Sequence, residues 1–378
     1  MELATFSYHP DRKWSVPALP ALDSDRTLVL VFAAPETIEH PAPLQELARA
    51  FPQSCIIGCS TAGEIAGRQV EDGSISVAVA RFAHARVATA ATCITESGSR
   101  EAGERLGRQL DPAGLRAVIV LAEGLDVNGS EFTAGLSGSL PRGVMVTGGL
   151  AGDGARFQGT WVLDKDGAQR GAAVAAGLYG ERLHIGIGSH GGWQAFGPER
   201  RITRASGNVL YELDHEPALA LYKQYLGEHA ARLPGSALNF PLAIRAPGAP
   251  AETLVRCIAG VDEKEQSITF AGDMPAGYLA RLMRADFEHL IAGGAGAAAQ
   301  ARGDATAGGP TLALIVSCAG RREVLGERAE DEVAAAARGL PAGSLQAGFY
   351  AYGEIAPYAG RLCDLHNQTI TLTTLSEV

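Results

Sequence analysis

Two octets of this sequence set short polar side chains and one carboxylate among glycines: "GCSTAGEI" at 58–65 and "GFYAYGEI" at 348–355. Aligned without gaps, they share Gly58/Gly348, Gly63/Gly353, Glu64/Glu354 and Ile65/Ile355. Each reads as a strand running into a turn, and strand ends are a common place to hold a ligand. Cys59, Ser60 and Thr61 would stand at the end of the first strand. Hydroxyls and free backbone N–H groups there can bind a carboxylate or an amide. The plainer reading gives Gly63 a positive φ in a turn and has Glu64 and Glu354 satisfy backbone donors; it is preferred for both carboxylates. Cys59 could act as a nucleophile only with a histidine nearby, and none is local. A buried, inert thiol is the commoner case. Cys55 and Cys59 have CxxxC spacing, which is no zinc signature.

Four further stretches could carry chemistry. "GGLAGDG" (148–154) could wrap an anion with its amides, through Gly149 and Asp153, or be a tight turn in which Asp153 bonds its own backbone. "GIGSHG" (186–191) matches Gly-x-Gly-x-x-Gly but runs into "GWQAFGPERR", which cannot open a helix, so a dinucleotide site is rejected. His190 stays a candidate, either beside a flat cofactor or as a surface histidine at a strand end. "VSCAGRREVLG" (316–326) places Arg321 or Arg322 where it could clamp a carboxylate, or join a surface salt bridge. In "DLHNQT" (364–369), Asn367 organises a turn, and His366 is unassigned. The other histidines have no metal-like partners at short spacing.

The elements that must position these residues are a mixture of strands and helices. Apolar, β-branched runs predict strands at 27–34, 54–61, 74–83, 85–94, 116–125, 143–152, 182–192, 311–320, 345–355 and 368–378. Asp166–Gly167 marks a hairpin within 157–180, and 241–247, 253–261 and 267–272 read as consecutive strands. Helical spacing predicts helices at 100–110, 128–140, 216–227, 276–294 and 322–340, while the Ala/Gly-rich 293–309 reads as a mobile loop. The chain has 378 residues with 46% apolar and 20% charged content, which fits a globular protein of two or three domains. A net charge of −10 with no long basic run argues against nucleic acid. No secretory leader or membrane span is recognisable, and six scattered cysteines fit a reduced, cytoplasmic protein. The repeated octet implies two related α/β (α+β) mixed-sheet lobes with flanking helices, facing one another across a cleft.

Taken in order, "GCSTAGEI", "GGLAGDG", "GSHGGWQAFGPERRITRASGNVLYELDHEPALALY", "VSCAGRREVLG" and "GFYAYGEIAP…LHNQT" resemble the FIST family. The resemblance implies an N-terminal FIST domain at 28–214 and a C-terminal one at 215–378, after an N-terminal extension, 1–27. It implies a ligand-binding sensory input for bacterial signal transduction, without catalysis. Amino acids are one implied ligand class. The stand-alone subset of the family implies haem b and nitric-oxide sensing, with a histidine kinase or cyclic-di-GMP enzyme as partner. No output domain is recognisable in this sequence, so the stand-alone arrangement is expected, and homo-oligomerisation is left open. The expected ligand residues are Cys59, Ser60, Thr61, Gly149, Asp153, Arg321, Tyr352, Gly353, Glu354 and Asn367. His190 is the expected haem ligand, with His366 second. The competing reading is a thiol-dependent transferase using Cys59 or Cys318.

Overall fold

The computed structural model describes residues 1–94, 98–249, 253–302, 309–358 and 361–378. The chain runs through three units built on one plan. Unit one contains β1 (Glu2–His9), β2 (Lys13–Trp14), β3 (Thr27–Ala33), α1 (Ala42–Ala50), β4 (Cys55–Ser60), the hairpin β5 (Glu64–Ala66) and β6 (Gln69–Glu71), and β7 (Ile75–Arg81). Unit two contains β8 (Arg86–Cys93), α2 (Ser99–Arg108), β9 (Leu115–Ala122), α3 (Gly129–Ser139), β10 (Met145–Leu150), the hairpin β11 (Val162–Asp164) and β12 (Gly167–Gln169), and β13 (Ala172–Tyr179).

Unit three opens with β14 (Leu183–His190) and is interrupted by an insertion. The insertion holds β15 (Gln194–Ser206), β16 (Val209–Leu213), β17 (Glu216–Pro217), α4 (Ala218–Leu226), β18 (Leu242–Arg245), β19 (Leu254–Arg256), β20 (Ile258–Asp262), β21 (Ser267–Phe270) and β22 (Leu279–Arg284). The plan then resumes with α5 (Phe287–Arg302), β23 (Leu312–Cys318), α6 (Ala319–Leu325), α7 (Ala329–Gly339), β24 (Leu345–Ala351), the hairpin β25 (Gly353–Tyr358) and β26 (Arg361–His366), and β27 (Ile370–Glu377).

Each unit forms the body of one sheet and sends its hairpin into another. The orders are β12-β11-β4-β3-β7-β1-β2, β26-β25-β10-β9-β13-β8 and β6-β5-β24-β23-β27-β14. In each, the middle pair (β3/β4, β9/β10, β23/β24) is parallel and joined by a helical crossover, as parallel pairs require. Strand alternation gives every sheet two buried faces. Leu30 and Phe32, Ile119 and Leu121, and Leu314 and Val316 point into one shared central core, where Phe32 stacks on Phe349 at 4.8 Å. Val31, Val120 and Ile315 point outward, beneath α1, beneath α2 and α3, and beneath α5 and α7. Residues 10–26 cover the first sheet where unit two uses α2: Trp14, Val16, Leu19 and Leu22 pack on its outer face. The insertion makes a separate eight-stranded sheet around α4, with its own core.

The mixed α/β class expected from sequence is the one observed, and the octet relation extends to a third copy. Three element assignments need correction. Residues 279–284 are the strand β22, because Ala280 and Leu282 bury with period two, and the helix begins only at Phe287. That helix continues through 293–302, read from sequence as a loop. Its Gly and Ala are there for close packing: a Cβ at Gly294 would lie 2.5 Å from the Glu332 carbonyl of α7. The rest of that expected loop, 303–308, falls outside the described residues. The expected helix 322–340 breaks at Gly326, whose φ is +55°.

Candidate functional site

The three octet-like crossings meet in a ring of backbone hydrogen bonds. Gly152 N donates to Ser60 O (3.0 Å), Ala62 N to Tyr350 O (2.8 Å) and Tyr352 N to Leu150 O (3.2 Å). These equivalences align 58–64 with 148–154 and 348–354. The first residue is glycine in all three, for a steric reason. A Cβ on Gly58, Gly148 or Gly348 would sit 2.3, 1.8 or 1.9 Å from the carbonyl oxygen of Val31, Val120 or Ile315 on the neighbouring strand. The two sequence octets also touch directly: Ile65 of β5 lies opposite Gly348 of β24.

The corners differ in how their acids are satisfied. In corner one, Glu64 accepts from the Thr61 hydroxyl on Oε1 and from Ser74 N and Oγ, each at 2.9 Å, on Oε2. Its carboxyl is complete without a ligand, although burial pushes its pKa up to about 7. In corner two, Gly154 stands where the others have glutamate, and Glu123 serves instead. It accepts from Leu125 N and Asp126 N (both 2.8 Å) and from Thr160 Oγ1 (2.6 Å).

Corner three is incomplete. Glu354 repeats the Glu64 pattern on one side only: its Oε2 accepts from Thr369 N (3.0 Å) and Oγ1 (2.7 Å). The counterpart of Thr61 is Ala351, which has no hydroxyl; Glu354 Oε1 accepts no hydrogen bond of normal geometry among the described residues, and the weak donor beside the carboxyl is the Cys318 thiol. Burial pushes the Glu354 pKa up to about 8, against the pull of the Thr369 hydrogen bonds and the Arg321 charge. His366 lies opposite Glu354 across the β25–β26 pair, and the turn from His366 to Thr369 wraps the same carboxyl. Along that turn, His366 Nε2, both amide atoms of Asn367, and Gln368 Oε1 are also buried without partners. Five of the eight such atoms among the described residues therefore belong to this one corner. Each would cost roughly 1–3 kcal/mol if it stayed unpaired, so the corner is built for something polar. Burial pushes the His366 pKa down to about 4, which leaves a neutral ring at neutral pH.

Four described contacts connect this corner to the insertion. Gln368 Nε2 reaches Leu238 O (3.5 Å) and Cys257 Sγ (3.4 Å), Trp193 Nε1 donates to Gln368 O (2.7 Å), and Arg256 Nη1 donates to Leu365 O (2.8 Å).

The structure separates the residues singled out from sequence. Cys59, Ser60 and Thr61 belong to corner one, and all are buried. Cys59 points into the central core, where burial pushes its thiol well above the ordinary range, and Ser60 Oγ accepts from Trp161 N (3.0 Å). Asp153 accepts from Phe157 N, Gln158 N and Gly159 N at 2.7–3.0 Å, and from the Tyr352 hydroxyl. It therefore organises its own loop. Tyr352 also stacks on the exposed Phe157 at 4.9 Å. Arg321 is no surface residue. It is fully buried, donates to the buried Glu332, and holds the carbonyls of Gly191, Leu290 and Gln368. The carboxylate clamp is made by Arg322, on Asp72 at 2.6 and 2.7 Å. Gly149, paired with Glu354, and Gly353, Glu354, His366 and Asn367 do come together in corner three. Sequence reasoning missed Gln368, Thr369 and Cys257; only the quoted "LHNQT" pointed toward the first two. Cys318 also lies at this corner, and burial pushes its thiol well above the usual range. Among the described residues no group of three or more His, Cys, Asp or Glu could hold a metal, and no helix is long and apolar enough to cross a membrane.

The FIST N domain model matches residues 27–216 and the FIST C domain model matches 218–357. Together they cover most of the chain, which belongs to the FIST family; FIST domains are sensory, ligand-binding domains of signal transduction. The FIST N match runs from β3 of unit one through unit two to β16 of the insertion, whereas the FIST C match holds the rest of the insertion and runs through β23 and β24. The 366–369 turn lies just beyond it. No individual curated protein matches the chain.

Proposed function

We propose that this FIST protein is a sensory module whose third corner binds a small polar ligand bearing a cationic amine, with amino acids as the ligand class. The observation that carries this reading is the set of five unpartnered buried atoms around Glu354, at a position where the equivalent Glu64 is complete. An ammonium beside Glu354 Oε1 would supply the donor that Thr61 supplies in corner one, and would draw the carboxyl into its ionised form. The Asn367 amide offers a donor and an acceptor to a ligand carboxylate or amide. Neutral His366 adds one ring nitrogen. No bond in the ligand is broken, and the buried, protonated thiols of Cys59 and Cys318 give a transferase no ready nucleophile.

Occupancy would be transmitted through the insertion, because Gln368 and Leu365 hold its segments at Leu238, Trp193 and Arg256. A ligand that pulls on the 366–369 turn shifts the insertion against the three-sheet body. The partner that reads this shift would be a histidine kinase or a cyclic-di-GMP enzyme, as the family resemblance implies.

Haem b fits the residues present less well. His190 stands exposed at the end of β14 with its ring against α5: a Cβ at Gly296 would lie 3.0 Å from its Cδ2. His366 is buried near the Arg256 charge. Neither histidine lines any of the three described cavities, and a porphyrin needs an apolar pocket.

A thermal-shift panel of amino acids and simple amines tests the proposal. One or more should raise Tm by a few degrees, as ligands selective for the native state do, and Glu354→Gln should abolish the response. A silent panel, or a response that survives Glu354→Gln, overturns it. A Soret band on adding haemin, lost in His190→Ala, would favour haem instead.

A further inference from the structure

A second site lies within the insertion. An open cavity of about 1030 Å³ runs between the end of α4, the 227–240 segment and the start of α5. That is at the upper end of the usual range for ligand pockets, about 300–1,000 Å³. Its apolar walls are aromatic: Phe196, Tyr225, Phe240 and Phe287. Phe287 is 45% exposed, unusual for so large an apolar side chain at the first turn of a helix. Two arginines, Arg232 and Arg284, complete the lining, and neither has a carboxylate within 4.0 Å among the described residues. That is notable in a chain of net charge −10. Some arginines of the same insertion are paired, Arg245 with Glu199 at 2.7 Å and Arg200 with Asp214 at 3.3 Å, whereas Arg281 donates to the Gly197 carbonyl instead.

The two free guanidinium groups are oriented by neutral neighbours. Arg232 donates to His229 Nδ1 at 2.8 Å, which leaves that ring its proton on Nε2, and the His229 ring packs against Phe240 at 5.2 Å. Arg284 lies 5.9 Å from the Phe196 ring centroid and donates to Gln194 Oε1 at 3.4 Å. Glu228 is the acid of the lining, and it is exposed at the rim. Aromatic faces beside unneutralised guanidinium groups suit one kind of ligand: a ring system that stacks, carrying an anionic group that the arginines can grip. We infer that this groove binds a flat aromatic anion, separately from the ligand of the third corner. Ser236 and Asn239 line the groove, and Leu238 between them accepts from Gln368. The two sites thus share one short segment of chain.

Isothermal titration calorimetry with 2-naphthoate, neutral 2-naphthylmethanol and ringless acetate tests the inference. 2-Naphthoate should bind at least about tenfold more tightly than either of the others, the worth of one charge-assisted contact. Its affinity should fall as salt is raised. The doubly substituted R232A/R284A protein should lose about tenfold in affinity while keeping its circular dichroism spectrum, since both arginines are exposed. Naphthoate reads this groove while amines and amino acids read the third corner, which keeps the two results distinct. Equal binding of the neutral alcohol, or naphthoate binding that survives R232A/R284A, overturns the inference.

Discussion

One missing hydroxyl sets the third corner apart. Thr61 gives Glu64 its third hydrogen bond, and Ala351 gives Glu354 nothing. Both carboxyls titrate higher in the folded protein than in the unfolded chain, so folding favours their protonated forms. The stability they contribute is fully present below the ordinary carboxyl range and is lost as pH rises through about 7 for Glu64 and about 8 for Glu354. His366 works in the opposite sense: its folded pKa of about 4 lies below its unfolded value, so its contribution is present at neutral pH and lost as pH falls toward 4. Glu354→Gln removes the titration at one of these positions. In urea unfolding at about pH 5 and about pH 9, the variant should gain on the native sequence at the higher pH and not at the lower. A difference that is the same at both pH values would mean that Glu354 is not held protonated by its surroundings. Residue identity announced the acid but not its state: the repeat Gly-Glu-Ile is visible in the sequence, whereas the missing donor appears only when Ala351 is seen to occupy the Thr61 position.

At the scale of elements, most strands were legible because they are β-branched, apolar runs buried on both faces, as parallel pairs in the middle of a sheet are. The boundaries failed where backbone packing overrode composition. Residues 293–302 look structureless as a string of Gly and Ala, yet those residues let α5 press against β14 and α7: a Cβ on Gly186 or Gly188 would lie 1.7 or 2.0 Å from the carbonyls of Ala301 or Ala297. The third octet copy was invisible for a related reason. Only Gly148 is kept in it, because the only demand common to all three is space beneath the neighbouring carbonyl. Gly58→Ala, Gly148→Ala and Gly348→Ala should each therefore destabilise by about 1–3 kcal/mol, as overpacking does. Gly138→Ala is the internal control: it lies in α3 with nothing within 4 Å of its added Cβ, and it should stabilise by roughly 0.5–1 kcal/mol. Urea midpoints read both. A neutral effect at Gly348 would show that the strand pair can yield there.

The whole molecule is three sheets that exchange hairpins around one core, with a fourth sheet inserted into unit three and held to its third corner. Exchange explains why the paired octets lie near opposite ends of the chain and still touch: β5 from the first adds to the strand of the second. It also explains why the functional reading could not be finished from sequence. Glu354, His366 and Gly149 converge only through the β10–β25 and β25–β26 pairings. On the proposed function, corners one and two, which satisfy their own acids, are structural and the third is the input. The decisive comparison is a calorimetric titration of the stabilising amino acid into the native protein, Ala351→Thr and Thr61→Ala. Ala351→Thr should supply the absent hydroxyl, lose binding and keep or gain stability, while Thr61→Ala should bind as the native protein does despite losing about 1–3 kcal/mol of stability. Undiminished binding by a folded Ala351→Thr protein would contradict the assignment of the ligand to the open oxygen of Glu354.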